Sequence, residues 1–156
     1  MIADYETQPL PEVLHAPRQY ALGQSHKHLP EMAAQSGLPA PVFCPVVGDF
    51  YSGMQVTVPR FAAPCAPGTT PETIAGIYRK DYAGPIVSFA EAPDEYGFLS
   101  AASLAGKDSM QISVTGNGDR MLLLAVYDNL GKGASGAAVE CLNMVLGTEP
   151  TKGLCL

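Results

Sequence analysis

Two stretches of this 156-residue chain space their side chains in ways that could do chemistry. The first, Ser25-His26-Lys27-His28-Leu29-Pro30-Glu31-Met32, holds two of the three histidines two positions apart, just ahead of a helix start. In an extended segment such residues point to the same side, and two imidazoles there could bind a metal or move a proton near neutral pH. A metal needs at least a third ligand, for which the chain offers only His15 or scattered carboxylates. The plainer alternative is a solvated His-Lys-His turn with no role.

The second stretch runs from Asp128 to Ala138, where the apolar strand Met121 to Tyr127 enters a helix through a turn with glycines at 131, 133 and 136. Glycine lets a backbone approach something closely, and a new helix end offers unpaired N–H groups to an acceptor. The glycines match G-x-G-x-x-G. The dinucleotide fingerprint, however, belongs in a βαβ unit with an acid about 20 residues onward, and none is expected here. The P-loop spacing is also absent. Close helix–strand packing and a ligand-side role both remain open for this turn. A third cluster, Gly48-Asp49-Phe50-Tyr51-Ser52-Gly53-Met54, either lines a pocket for a small polar substrate or forms a hairpin with Phe50 plugging the core edge.

These groups need a folded frame, and the composition supports one. At 47% hydrophobic and 15% charged, the chain fits one globular domain with its own core, and 16 glycines and 14 prolines imply many turns. A net charge of −6 without a basic run argues against nucleic-acid binding. No apolar stretch approaches the roughly 20 residues of a membrane span and no signal peptide opens the chain, so a cytoplasmic location is expected. The four cysteines, Cys44, Cys65, Cys141 and Cys155, lack CxxC spacing and are expected as buried thiols. Residues 1–19 show no strand or helix pattern and read as an arm or the remnant of an interdomain connection. The domain proper is expected over 20–156.

Along that domain, Tyr20 to His28 reads as a short strand or loop. Pro30 suits a first helical position, and Gly37 closes a brief helix. Val42 to Val47 and Met54 to Val58 are strand-like. Thr70-Pro71-Glu72 opens a helix over 73–82, and Ile86 to Phe89 is a short strand. The region 90–106 is expected to be loop-rich. Met110 to Thr115 and Met121 to Tyr127 form a hairpin through Gly116-Asn117-Gly118-Asp119, the second strand central and covered on both faces. A last helix carries Ala134, Ala137, Ala138, Cys141, Leu142, Val145 and Leu146 on an apolar stripe and stops at Gly147. The expected fold is α+β: an antiparallel or mixed sheet in a two-layer sandwich with helices on one face.

Taken together, the His-Lys-His-Leu-Pro-Glu segment and the Asp128-Asn129-Leu130-Gly131-Lys132-Gly133-Ala134 run resemble matching segments of the N-acetyl-gamma-glutamyl-phosphate reductases. Gly48 to Met54 is similar to a segment of their shorter type. The resemblance covers Tyr20 to Gly147. It implies the substrate/catalytic domain of an NADP-dependent reductase of arginine biosynthesis, akin to the C-terminal domain of glyceraldehyde-3-phosphate dehydrogenase, without the dinucleotide-binding domain that carries the nucleophilic cysteine. None of the four cysteines here sits in a nucleophile motif. On this resemblance His28 is the catalytic acid/base, and His26 and Tyr20 face the substrate, a small acyl phosphate. Asn129, with Gly131, meets the nicotinamide end of NADP, and no metal is implied. The last helix packs against the nucleotide-binding domain, and a homo-oligomer is expected. Two departures stand out: Ser52 replaces an arginine of the longer type, and Gly106-Lys107-Asp108-Ser109 replaces a Gly-Thr/Ser-Asn pattern. An aspartate-semialdehyde dehydrogenase-like fragment and a non-catalytic oligomerisation module are the alternatives.

Overall fold

Thr70 shows how locally much of the fold is decided. Its side chain accepts from the Thr73 N–H while the Thr73 hydroxyl accepts from the Thr70 N–H, a capping box that starts a helix with Pro71 in its first turn. The computed structural model describes residues 2–156, and its contacts divide the chain into a first unit ending at Tyr51 and a second spanning Ser52–Leu156.

The first unit contains α1 (Ile2–Tyr5), a 3-10 turn (Glu12–Leu14), β1 (Arg18–Gln19), α2 (His28–Ser36) and β2 (Val46–Val47). β1 and β2 pair antiparallel, with Arg18 opposite Val47. Much of the expected arm 1–19 therefore carries regular structure, and residue 1 lies outside the described residues. Arg18 ties the segment down: its Nη2 donates to the Tyr5 hydroxyl at 3.1 Å and its guanidinium lies 5.3 Å from the ring centroid. The strand expected over 42–47 shortens to Val46–Val47, because the side chain of Gln24 takes the backbone N–H and C=O of Phe43 that a ladder would have used.

The second unit is a four-stranded mixed sheet, β3 (Met54–Phe61), β4 (Val87–Phe89), β5 (Met110–Gly116) and β6 (Arg120–Tyr127), in the order β3-β6-β5-β4. β6 pairs antiparallel with both β3 and β5, and β4 runs parallel to β5. The central place of Met121 to Tyr127 agrees with its continuous apolar run. Met121, Leu124 and Val126 are buried, but Leu122 is exposed, so the strand is not covered on both faces along its whole length. β3 tolerates Pro59 because it is an edge strand with one neighbour. The hairpin turn forms as expected, with the Asn117 side chain accepting the N–H groups of Asp119 and Arg120. α3 (Pro71–Asp81) lies against β5 and β4, joined by the Tyr78 and Phe89 rings at 6.4 Å. The last helical stretch is a π turn (Gly131–Ser135) leading into α4 (Gly136–Val145).

All four cysteines are free; Cys44, Cys141 and Cys155 are exposed and Cys65 is half-buried, so the expectation of buried thiols fails. For Cys141 the reason is the helix it belongs to. The stripe of α4 stays open within this unit, with Leu142, Val145 and Leu146 exposed. The Thr70 cap gives a direct test of the local physics. Thr70→Ala is expected to cost about 1 kcal/mol of stability, read as a lower urea midpoint with an unchanged slope.

Candidate active site

In the first unit the histidines do not share one face of an extended segment. His28 opens α2, two residues earlier than Pro30 suggested. The helix lacks a Ser, Thr, Asp or Asn cap, and the His26 ring takes that role: its Nδ1 accepts the His28 N–H at 3.2 Å. As an acceptor, Nδ1 carries no proton, so neutral His26 holds its proton on Nε2. The rings lie 4.8 Å apart, and His26 also packs edge-on to Tyr20 at 5.7 Å and against Phe43 at 5.2 Å. Tyr20, His26 and His28 are thus brought together, with Tyr20 anchored by its N–H to the Pro45 carbonyl.

His28 has a partner that residue types alone did not reveal. Its Nδ1 lies 2.7 Å from Glu31 Oε2, one helical turn on. A carboxylate there accepts a hydrogen bond from Nδ1–H and leaves Nε2 as the nitrogen able to exchange a proton with a ligand. The signal was the His-x-x-Glu spacing, readable once the helix is known to begin at His28. Among the described residues no three His, Cys, Asp or Glu side chains converge as metal ligands do. His15, considered as a third ligand, pairs instead with Asp49 at 2.9 Å. Phe50 does not plug a core: it is half exposed, its ring leaning over Gly48.

In the second unit the glycine turn is built around Asp128, a residue the sequence reading passed over. Its side chain is buried, 2% exposed, and accepts four hydrogen bonds: from Ser52 Oγ at 2.8 Å, Gly106 N at 2.5 Å, Leu130 N at 2.7 Å and Gly131 N at 3.1 Å. Burial pushes the carboxyl pKa up, but the Gly106, Leu130 and Gly131 N–H groups and the Ser52 hydroxyl together outweigh it and hold the group at about 2. N–H groups at this helix end, for which close packing and a ligand-side role were both open, are therefore taken. Asp128 holds two, and i→i−5 bonds from Gly133 N to Asp128 O at 2.8 Å and from Ser135 N to Leu130 O at 3.0 Å take two more.

Gly131 and Gly136 make room for this same unit. A Cβ at Gly131 would strike the Lys107 carbonyl, and one at Gly136 would strike the Asp108 side chain. Asp108 in turn accepts the Cys155 N–H at 2.9 Å. Lys132 pairs with Glu140 at 2.5 Å, both side chains mostly buried. Asn129 is half-buried beside Asp128, its Oδ1 accepting the Gly53 N–H at 2.8 Å, which leaves Nδ2 as the donor it can present. Ser52 and the loop end at Gly106, noted before only as departures, are both ligands of the Asp128 carboxylate.

Residues 4–129 match the family described as semialdehyde dehydrogenase, dimerisation domain, and the chain belongs to that family. Its relatives narrow the kind. It is 42% identical over 151 residues to the N-acetyl-gamma-glutamyl-phosphate reductase of Sinorhizobium fredii, with 94% of this chain and 49% of the relative covered. The reductases of Rhizobium etli and Rhizobium meliloti match at 42% identity with the same coverage. The chain thus spans about half the length of the curated relatives it matches.

The Asp128 carboxylate has a definite acid signature. Its folded pKa lies below the usual 3.8, so its contribution is fully present above that value and is lost as pH falls toward about 2. The stability advantage of the wild type over Asp128→Asn is expected to shrink by on the order of 2 kcal/mol across that window in urea titrations.

Proposed function

We propose that this chain is the substrate half of an NADP-dependent N-acetyl-gamma-glutamyl-phosphate reductase, acting with a nucleotide-binding half that supplies the cysteine nucleophile. The observation that carries the reading is the His28–Glu31 pair at 2.7 Å, which leaves His28 Nε2 open beside His26 and Tyr20. When bound, NADPH supplies the hydride. His28 Nε2 would take the thiol proton as the sulfur displaces phosphate to form a thioester, give it to the oxygen that gains negative charge on hydride transfer, and take it back as the thiolate leaves and the aldehyde forms. His26, fixed by its cap, orients the substrate from Nε2, and Tyr20 flanks it. The product of this reaction class is the N-acetylglutamate semialdehyde.

The fit to the cofactor is limited to one edge. The turn's N–H groups are consumed by Asp128 and by backbone carbonyls, so this chain offers the nucleotide's phosphates no cradle there. Asn129 would meet the nicotinamide end through its amide, and the phosphates belong to the other half. The exposed stripe of α4 supports a further domain packing on it. The family's description as a dimerisation domain, with Met54, Val56 and Val58 exposed on β3, also supports self-association into a homo-oligomer. No helix among the described residues is long and apolar enough to cross a membrane, which is compatible with a cytoplasmic enzyme.

The chain alone is expected to show no turnover with N-acetyl-gamma-glutamyl phosphate and NADPH, and activity is expected once the nucleotide-binding half is supplied. Robust turnover by the isolated chain would overturn the assignment of the nucleophile to the other half. Turnover with aspartyl phosphate in place of the acetylated substrate would shift the reading to an aspartate-semialdehyde dehydrogenase. In the assembled enzyme, His28→Ala is expected to lower kcat by about 10²–10⁴-fold with an unchanged melting temperature. Glu31→Gln, which removes only the orienting carboxylate, is expected to cost less, about tenfold.

A further inference from the structure

Ser52 and Gly53 are adjacent, and each is held by one of two adjacent residues across the sheet end. Ser52 Oγ donates to Asp128 at 2.8 Å, and Gly53 N donates to Asn129 Oδ1 at 2.8 Å. The geometry of this double clamp is demanding at both ends. Gly53 has φ +120°, and a side chain there would run into the Ala101 carbonyl, so only glycine lets its N–H reach Asn129. Asp128 joins three separate stretches: Ser52 ahead of β3, Gly106 at the end of the long loop, and Leu130–Gly131 at the π turn. A buried carboxylate with four donors has no lower-energy orientation to turn to.

We propose that Asp128 is a positioning residue: by locking Ser52 it fixes the Gly53 N–H, which holds the Asn129 carbonyl inward and presents the Asn129 Nδ2–H to a ligand. A side-chain amide held this way donates and cannot accept, so the ligand group it selects is a hydrogen-bond acceptor such as a carboxamide oxygen. This rests on the reading of Asn129 as a cofactor contact, but the locking itself is independent of any ligand. Asp128→Asn keeps the size and removes the charge, and it turns at least one amide hydrogen toward groups that are already donors. The clamp then loosens where the wild type holds it.

The locking is tested on this chain by itself, labelled with ¹⁵N-asparagine. The wild type is expected to show two well-separated Asn129 side-chain proton signals of a fixed amide. In Asp128→Asn, and to a lesser degree in Ser52→Ala, they are expected to converge toward the values of a free amide. Ser52→Ala removes a single hydrogen bond and serves if Asp128→Asn does not fold. Unchanged Asn129 side-chain signals in a folded variant that merely melts lower would overturn the proposal, since a purely structural role would leave them in place.

The consequence is tested in the enzyme assembled with its nucleotide-binding half. Asp128→Asn and Asn129→Ala are each expected to raise KM for NADPH about tenfold with KM for the acyl phosphate unchanged, the double variant being no worse than Asn129→Ala. Additive losses would overturn the claim that Asp128 acts through Asn129. An unchanged KM in Asn129→Ala would instead remove the cofactor role of Asn129, with the labelled-chain result still deciding the locking.

Discussion

The carboxylate of Asp128 is the constraint on which the second unit depends. It sits where the central strand ends, buried, and it is kept ionised by four donors from three different stretches of chain. A buried charge is tolerated only when hydrogen bonds replace its lost water, so those stretches cannot drift without leaving it exposed to that cost. The strand-to-helix turn, the start of β3 and the end of the 90–106 loop are therefore positioned by one side chain. Glycine matters in this arrangement by staying out of the way. Gly131 and Gly136 let residues 107 and 108 come close, and Gly53 lets a backbone N–H point at Asn129.

In the first unit the corresponding constraint is the start of a short helix. α2 is nine residues long and has no conventional cap, a marginal element by itself. The His26 ring supplies the missing acceptor, and Gly37 at φ 67° closes the other end. Starting the helix at His28 puts Glu31 on the same face one turn later, where its carboxylate favours the tautomer with the proton on Nδ1. The same arrangement explains why spacing suggested a metal pair: two histidines two apart do neighbour each other, with one nitrogen of each already spent on the protein.

Much of this was legible in residue patterns. The hairpin at Gly116–Asp119, the Thr70 cap and the central place of Met121 to Tyr127 follow from short-range rules, because turn dihedrals, capping and continuous apolar runs are properties of a few neighbouring residues. The motifs carried family membership and pointed to His28, His26 and Asn129. The exposure of Cys44, Phe50 and the α4 stripe was not legible. Burial depends on which surfaces meet, and a periodic apolar pattern says that a face seeks cover without saying what covers it.

Sequence by itself thus determined the strands of the second unit, the Thr70 cap, the mixed α+β class and the two motifs, all set by local sterics and hydrogen bonding. Tertiary structure decided which groups the motifs bring together. Asp128 looked like an ordinary acid before a glycine turn until Ser52, 76 positions away, and Gly106, 22 away, were seen donating to it. Those partners are brought in by the pairing of β6 with β3 and β5, and a sequence read one neighbourhood at a time carries no record of that pairing.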